Sequence, residues 1–180
     1  MVNAGGQLNV YKCKGKVSAL EEYLDGKDAS GSIGIAHTRW ATPGIPDNVS
    51  AHPHYSQSGK IALIHNGIIE NYRVLKDALE MNGYKFRSET DSEVLVNLIE
   101  CIRDNSGCSL AEAVRMALGK VIGAYAIAVI EEGNTDEIIA ARQSSPMVIG
   151  LGKGEFFISS DAASIIDYTN DFVYVNDGEV

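Results

Sequence analysis

The stretch KIALIHNGIIENYRVL (residues 60–75) decides the fold class, because its pattern changes from strand to helix near Asn66 and Gly67. The run KIALIHNG is nearly all apolar, which predicts a buried strand. In residues 68–81 apolar side chains recur every three or four positions, which predicts an amphipathic helix. A strand that passes directly into a helix needs no hairpin at the Asn-Gly pair.

The remaining patterns separate helices from strands along the chain. The segment GSIGIAHT (31–38) predicts an earlier strand, and SALEEYLDG (18–26) predicts a helix with Ser18 as its N-cap. Two more capping boxes, at Thr90 and Ser109, predict consecutive helices in the middle of the chain. Alternating or apolar runs then predict five strands, namely AYAIAVIEE (124–132), DEIIAAR (136–142), MVIGLG (147–152), EFFISS (155–160) and FVYVND (172–177).

This order argues against a doubly wound parallel sheet, in which strands and helices would alternate. Strands, then neighbouring helices, then a meander of strands favour an α+β fold with helices packed on antiparallel sheets. A chain of 180 residues, 45% of them hydrophobic, is enough for one domain, so a single domain over 1–180 is expected.

Composition excludes several classes of function. A net charge of -9 and scattered basic residues argue against a nucleic-acid partner. The longest apolar run is too short to cross a bilayer, so no membrane is expected either. Three cysteines, without the even number or spacing of a disulfide framework, favour a reducing, cytoplasmic setting.

The segment HTRWATPGIP (37–46) places Arg39 and Trp40 next to each other after a predicted strand. A guanidinium group matches a carboxylate with two parallel hydrogen bonds, so Arg39 is a candidate for binding a substrate carboxylate. Trp40 would form a wall of that pocket, and the hydroxyl of Thr42 is a further candidate. The alternative is an ordinary pairing of Arg39 with a protein carboxylate or water.

Asn66 and Gly67 have two interpretations. Asn-Gly is the pair that best tolerates a tight turn, and on the residues alone a turn is the favoured interpretation. Alternatively, the Asn66 amide and the Gly67 N–H form an oxyanion hole, in which two donors stabilise a developing negative oxygen. The predicted helix that follows weakens the case for the turn.

Asp91 is explained most simply by its place in the first turn of a helix, although its carboxylate also suits a ligand ammonium group. The histidines His37, His52, His54 and His65 raise the possibility of zinc. No accompanying ligand pattern supports that, so packing and hydrogen bonding are favoured, and no metal or cofactor is expected.

Several of these stretches, taken together, resemble one family. GIAHTRWATPG, SAHPH, IHNGIIENY, SETDSEV, GAYAIAV and SPMVIGLG follow the order found in the glutaminase domain of glutamine–fructose-6-phosphate aminotransferases, which are class II glutamine amidotransferases. The resemblance covers nearly the whole chain. It implies an N-terminal-nucleophile (Ntn) hydrolase fold, a four-layer αββα sandwich of antiparallel sheets.

The resemblance also implies a role for each candidate residue. Arg39 would bind the α-carboxylate of glutamine, with Trp40 and Thr42 shaping that wall, and Asp91 would bind the α-amine. Asn66 and Gly67 would form the oxyanion hole, and His52 would support the neighbouring loop. The activity implied is hydrolysis of glutamine, with ammonia passed to fructose 6-phosphate by sugar-isomerase domains that lie beyond this sequence. A homodimer of the longer protein is possible.

The sequence departs from the family pattern at its start. In the family, the nucleophile is a cysteine at the mature N-terminus whose own amine serves as the base. This sequence begins Met-Val-Asn-Ala, and none of Cys13, Cys101 and Cys108 is terminal. We therefore expect an amino-truncated domain that lacks its first strand and helix and that binds glutamine without turnover. Pro43 also replaces a histidine that is common in the family.

Three alternatives remain open at this point. The chain could belong to another class II amidotransferase with a different acceptor. It could be a non-catalytic module that binds an amino acid. It could also be an incompletely folded remnant, since removing an edge strand and a helix exposes backbone and apolar surface.

Overall fold

The computed structural model describes residues 1–39 and 48–180. Four α-helices and seven strands occur in these ranges. The helices are α1 (Val17–Leu24), α2 (Tyr72–Met81), α3 (Asp91–Ser106) and α4 (Leu110–Leu118). The strands are β1 (His54–Tyr55), β2 (Ile61–Ile69), β3 (Gly123–Glu131), β4 (Ile139–Gln143), β5 (Val148–Leu151), β6 (Phe156–Ser159) and β7 (Phe172–Tyr174).

Two antiparallel sheets organise these elements. The first has the order β1-β2-β3-β4, and its longest pairing matches Ile61 with Glu131 and Ile69 with Gly123. The second has the order β6-β5-β7. The α+β class predicted from the order of elements is therefore confirmed, as are the five strands of the C-terminal meander.

The core lies between the first sheet and the helices α2, α3 and α4. Alternate residues of β2, such as Ile61, Leu63 and Ile69, point to this side and are almost fully buried. The opposite face of the same sheet packs on the second sheet through Ala126 and Met147. The layers are therefore helices, first sheet and second sheet, in that order.

Three local predictions are wrong. Residues 31–38 form no strand, because within the described chain only Ile33 bridges, to Val2, and Ile35 contributes side-chain packing instead. The first helix begins at Val17, so Ser18 lies in the first turn and no side chain caps the helix. The second helix begins at Tyr72 and not at residue 68, because pairing with β3 extends β2 to Ile69.

The other capping predictions have mixed outcomes. Ser109 and Glu112 form the complete capping box of α4. Thr90 caps α3 by accepting a hydrogen bond from the backbone N–H of Glu93. The Glu93 carboxylate instead accepts from the backbone N–H groups of Arg87 and Ser88, so the reciprocal half of that box is absent. Within the described ranges, no helix is both long enough and apolar enough to span a bilayer.

Candidate active site

Asn66 and Gly67 lie inside β2, where they pair with Ala126 and Tyr125 of β3. The interpretation of this pair as a turn is therefore wrong, because strand pairing continues on both sides of it. Gly67 has a φ of +128°, and a Cβ atom there would overlap the carbonyl oxygen of Ala124. Both observations require a glycine at this position.

The alternation of side chains along β2 determines which way Asn66 points. Odd-numbered residues such as Leu63 and His65 face the helices, whereas Ile64 and Asn66 face the second sheet. A cavity of about 320 Å³ lies on that side. Its lining includes His37, Ile64 and Asn66, with Phe157 contributed by the second sheet.

Another depression, of about 430 Å³, lies on the surface around Gln57, Lys85, Phe86 and Arg87. None of the predicted site residues within ranges 1–39 and 48–180 lines it. We therefore place the candidate site in the smaller cavity, where the Asn66 side chain is found.

Three histidines form a stack that begins at Asn66. His37 Nε2 lies 2.8 Å from Asn66 Oδ1, and the His37 ring lies 4.3 Å from that of His52. His52 in turn meets His54 edge-on at 4.9 Å between ring centroids. The far end of the stack is anchored, because His54 Nε2 lies 3.1 Å from Oγ1 of Thr90, the N-cap of α3.

Burial keeps His52 and His54, two members of this stack, uncharged. Burial, together with the positive charge of the neighbouring His54, His37, His65 and Arg39, lowers the pKa of His52 to about 2. Burial lowers the pKa of His54 to about 3, with further contributions from Lys12 and Arg39. At neutral pH both rings are therefore neutral, and each offers one donor and one acceptor nitrogen.

Asp91 is held against the end of β2. Its Oδ2 accepts a 2.8 Å hydrogen bond from the backbone N–H of Ile69, two residues after Gly67. Its Oδ1 lies 3.9 Å from Nδ1 of His65, which also lies 2.9 Å from Oγ of Ser92. Burial lowers the pKa of His65 despite the attraction of the Asp91 carboxylate.

The remaining predicted residues have different outcomes. Arg39 is exposed, and its positive charge lowers the pKa values of His52 and His54, so it lies within electrostatic reach of the stack. Trp40 and Thr42 lie outside the described residues. Among the predicted residues that the structure describes, Asn66 lines the cavity, and His52 is linked to it through His37. Gly67 follows Asn66 in β2, Asp91 is bonded to the end of that strand at Ile69, and Arg39 is within electrostatic reach of the histidines.

Sequence reasoning missed the contact between His37 and Asn66 and the one between His65 and Asp91. No local signal indicated the first contact, because His37 and Asn66 are 29 positions apart in the chain. His65 directly precedes Asn66, but the alternation of a strand places it on the opposite face. Within residues 1–39 and 48–180, no three His, Cys, Asp or Glu side chains are arranged to hold a metal ion.

Comparison with known proteins assigns the family. The model of the glutamine amidotransferase domain matches residues 37–167. A glutamine–fructose-6-phosphate aminotransferase of Bacteroides thetaiotaomicron is 58% identical over 180 residues, which is all of this chain and 29% of that protein. The enzyme of the same name from Chlorobaculum tepidum is 53% identical over 184 residues, which cover all of this chain and 30% of that protein.

Two solved structures are similar to this chain. Glutamine phosphoribosylpyrophosphate amidotransferase of Bacillus subtilis has a TM-score of 0.64 and 29% identity, over 79% of this chain and 30% of that one. A structure described as the allosteric regulatory enzyme of purine biosynthesis has a TM-score of 0.66 and 30% identity, over 79% of this chain and 31% of that one. Both have the Ntn-hydrolase fold, which confirms the fold expected from the sequence motifs.

The chain spans about 29% of the length of the first curated relatives that it matches. The family match extends from His37, at the start of the histidine stack, to the loop before β7, and thus includes every candidate site residue. The chain therefore belongs to the glutamine amidotransferase domain family.

Proposed function

We propose that this chain is the glutaminase part of a glutamine–fructose-6-phosphate aminotransferase. It would bind glutamine and hold its side-chain amide for hydrolysis, and the longer protein would release the amide nitrogen as ammonia and transfer it to fructose 6-phosphate. The names of the curated relatives support the acceptor. The hydrogen bond from Ile69 to Asp91 carries the proposal for the site, because it holds a carboxylate two residues from the Asn66–Gly67 pair.

Each end of glutamine has a partner in this proposal. The Asp91 carboxylate binds the α-ammonium group, and the Arg39 guanidinium binds the α-carboxylate through paired hydrogen bonds. Trp40 and Thr42 complete the wall beside Arg39. His52, held between His37 and His54, supports this wall as a neutral ring.

The donors at β2 serve the reacting end. In the longer protein, a thiol from outside these 180 residues would lose its proton and add as a thiolate to the side-chain amide carbon of glutamine, and the carbonyl oxygen would become an oxyanion. The Asn66 amide and the Gly67 N–H donate to that oxygen. When the C–N bond breaks, ammonia leaves with a proton and a γ-glutamyl thioester remains, which water cleaves to glutamate. Losing one such donor typically costs about 3–4 kcal/mol of barrier.

We propose that the thiolate does not come from the three cysteines of this polypeptide. Cys101 lies ten residues along α3 from Asp91, roughly 15 Å at 1.5 Å per residue, and Cys108 lies beyond the end of that helix. Cys13 is not terminal and so lacks an α-amine of its own.

Calorimetry on the 180-residue polypeptide tests this proposal. We expect L-glutamine to bind without release of ammonia. Affinity should be lower for glutaramate, which lacks the α-amine, and for glutamine α-amide, in which an uncharged amide replaces the α-carboxylate. In the Arg39→Ala variant, the loss of binding affinity should be large for L-glutamine and small for glutamine α-amide. Failure of L-glutamine to bind, or rapid release of ammonia, would contradict the proposal.

The acceptor requires a separate test, because one solved relative is named for phosphoribosylpyrophosphate and the other for purine biosynthesis. In the longer protein that contains this domain, we expect fructose 6-phosphate to increase glutamine consumption. Acceleration by phosphoribosylpyrophosphate instead would assign the domain to that second class. We also propose a cytoplasmic setting, because all three cysteines are unpaired with each other.

A further inference from the structure

We propose that His37 is a positioning residue that holds the Asn66 carboxamide with its NH2 group toward the reacting oxygen of glutamine. The inference rests on the proposed function, in which Asn66 is an oxyanion donor. It goes further by naming the residue that sets the direction of that donor. The contact that carries it is the 2.8 Å distance from His37 Nε2 to Asn66 Oδ1.

The orientation of Asn66 matters because a carboxamide has two unlike ends. Its oxygen only accepts hydrogen bonds, whereas its nitrogen only donates. Rotation by 180° about χ2 would present the oxygen to the developing oxyanion and turn stabilisation into repulsion. Backbone pairing with Ala126 fixes the main chain of residue 66 but leaves this rotation free. A donor on Oδ1 removes that freedom.

His37 can serve as this donor only as the tautomer with its hydrogen on Nε2. The surroundings of its other nitrogen favour that tautomer, because Nδ1 is buried and has no partner among the described residues. A hydrogen on Nδ1 would be a buried donor left without an acceptor, and Nε2 would then face Asn66 Oδ1 as a second acceptor. The tautomer with its hydrogen on Nε2 therefore satisfies the two nitrogens better than the alternative.

The stack of rings holds His37 in place. The centroids of the His37 and His52 rings lie 4.3 Å apart, with an angle of 30° between the ring planes, and the His52 ring contacts that of His54. His54 contacts Thr90, the N-cap residue of α3, and Asp91 is the first residue of that helix. The same stack therefore connects the donor at Asn66 with the helix that is proposed to bind the ammonium group.

Two matched variants separate positioning from packing. His37→Gln retains an N–H donor that can reach Asn66 Oδ1, whereas His37→Phe retains the ring and its stacking but has no donor. If the donor matters, His37→Gln should resemble the original chain and His37→Phe should not. If only packing of the ring matters, His37→Phe should resemble the original chain and His37→Gln should not.

The binding probes are L-glutamate and L-norvaline. Glutamate places an anionic oxygen where the oxyanion would form, and norvaline has the same α-groups without any polar atom there. We expect His37→Phe to lower the affinity for glutamate roughly fivefold to tenfold, which corresponds to the loss of one hydrogen bond. The affinity for norvaline should change less than twofold in His37→Phe. In His37→Gln the affinity for glutamate should be close to that of the original chain. Equal losses for both ligands, or no loss of glutamate, would overturn the inference.

Nitrogen-15 NMR of the unsubstituted chain gives a readout that does not depend on any ligand. Long-range proton–nitrogen spectra at pH 7 should show His37 with hydrogen on Nε2 and a bare Nδ1. The opposite tautomer would overturn the inference even if glutamine binds. If glutamine does not bind while the tautomer is as expected, the proposed function fails instead, and the role of His37 fails with it.

Discussion

The backbone N–H of Ile69 donates a 2.8 Å hydrogen bond to Oδ2 of Asp91, which ties the last residue of β2 to the first residue of α3. The two residues are 22 positions apart in the chain. This bond brings the helix terminus, and the carboxylate on it, to the strand that carries Asn66 and Gly67. Sequence spacing alone did not establish that these groups share one region.

The variant Asp91→Asn separates the charge of this residue from its structural hydrogen bond. An asparagine oxygen can still accept from the Ile69 N–H, so the thermal unfolding midpoint should change by only a few degrees. The charge that binds the α-ammonium group is lost, and we expect glutamine affinity to fall roughly tenfold to a hundredfold in calorimetry.

Asp77→Asn on α2 is the control for the loss of one negative charge, because it lies on another helix. It should leave glutamine affinity unchanged. Asp91→Asn binding glutamine as tightly as the original chain would show that Asp91 only starts the helix.

Gly67→Ala tests the requirement for glycine within β2. The new Cβ would overlap the Ala124 carbonyl, and the φ of +128° is unfavourable for alanine. We expect the free energy of unfolding in urea to fall by more than about 2 kcal/mol.

Gly59→Ala is the matched control, because Gly59 also has a positive φ, of +82°, but a Cβ there would meet no atom within 4 Å. It should cost about 1 kcal/mol through backbone strain alone. Equal losses at the two positions would mean that the close approach to β3 is unimportant.

The sequence predicted most of the fold because local patterns agree with tertiary packing in most elements. The apolar run of β3 and the Ser109–Glu112 box are strong local signals, and both elements form where expected. The strand predicted at residues 31–38 has the same apolar signal, but in the described chain only Val2 pairs with it. A strand depends on its partners, which one segment of sequence does not show.

The candidate site was predicted less completely, for a geometric reason. Asn66 and Gly67 look like a turn in isolation, and pairing with β3 keeps them in a strand. Likewise His37 and Asn66 are 29 residues apart, and nothing local indicates that they meet. Residue types suggested the chemistry, whereas the contacts between them depend on the packing of both sheets.

Glu93→Ala is expected to be strongly destabilising. Glu93 is 2% exposed, and its carboxylate accepts from the backbone N–H groups of Arg87 and Ser88 and from the Ser88 hydroxyl. Alanine would leave these donors unpaired, which should lower the free energy of unfolding by about 2–4 kcal/mol in urea titrations.

Glu89→Ala is the control in the same segment. Its side chain is 90% exposed and forms an ion pair with Lys76, so its removal should cost less than about 1 kcal/mol. A similar cost for both variants would contradict the role given to the buried carboxylate.

The stability of the chain should fall as the pH is lowered below about 6.5, because of the histidine stack. The folded chain holds His52 and His54 with pKa values of about 2 and 3, below the ordinary value of 6.5. Between those limits the unfolded state binds more protons, so acid favours unfolding. Each histidine should remove roughly 2 kcal/mol between pH 7 and pH 5, since one pKa unit corresponds to about 1.4 kcal/mol.

Urea titrations at half-unit steps from pH 7 to pH 5 measure this slope before most carboxylates titrate. His54→Gln removes one titrating group while keeping an amide that can face Thr90, so its slope should be smaller by about one proton. The comparison does not depend on the absolute stability of the variant, because only the change with pH is compared. A slope equal to that of the original chain, or stability that rises toward pH 5, would show that His54 is not held neutral by burial.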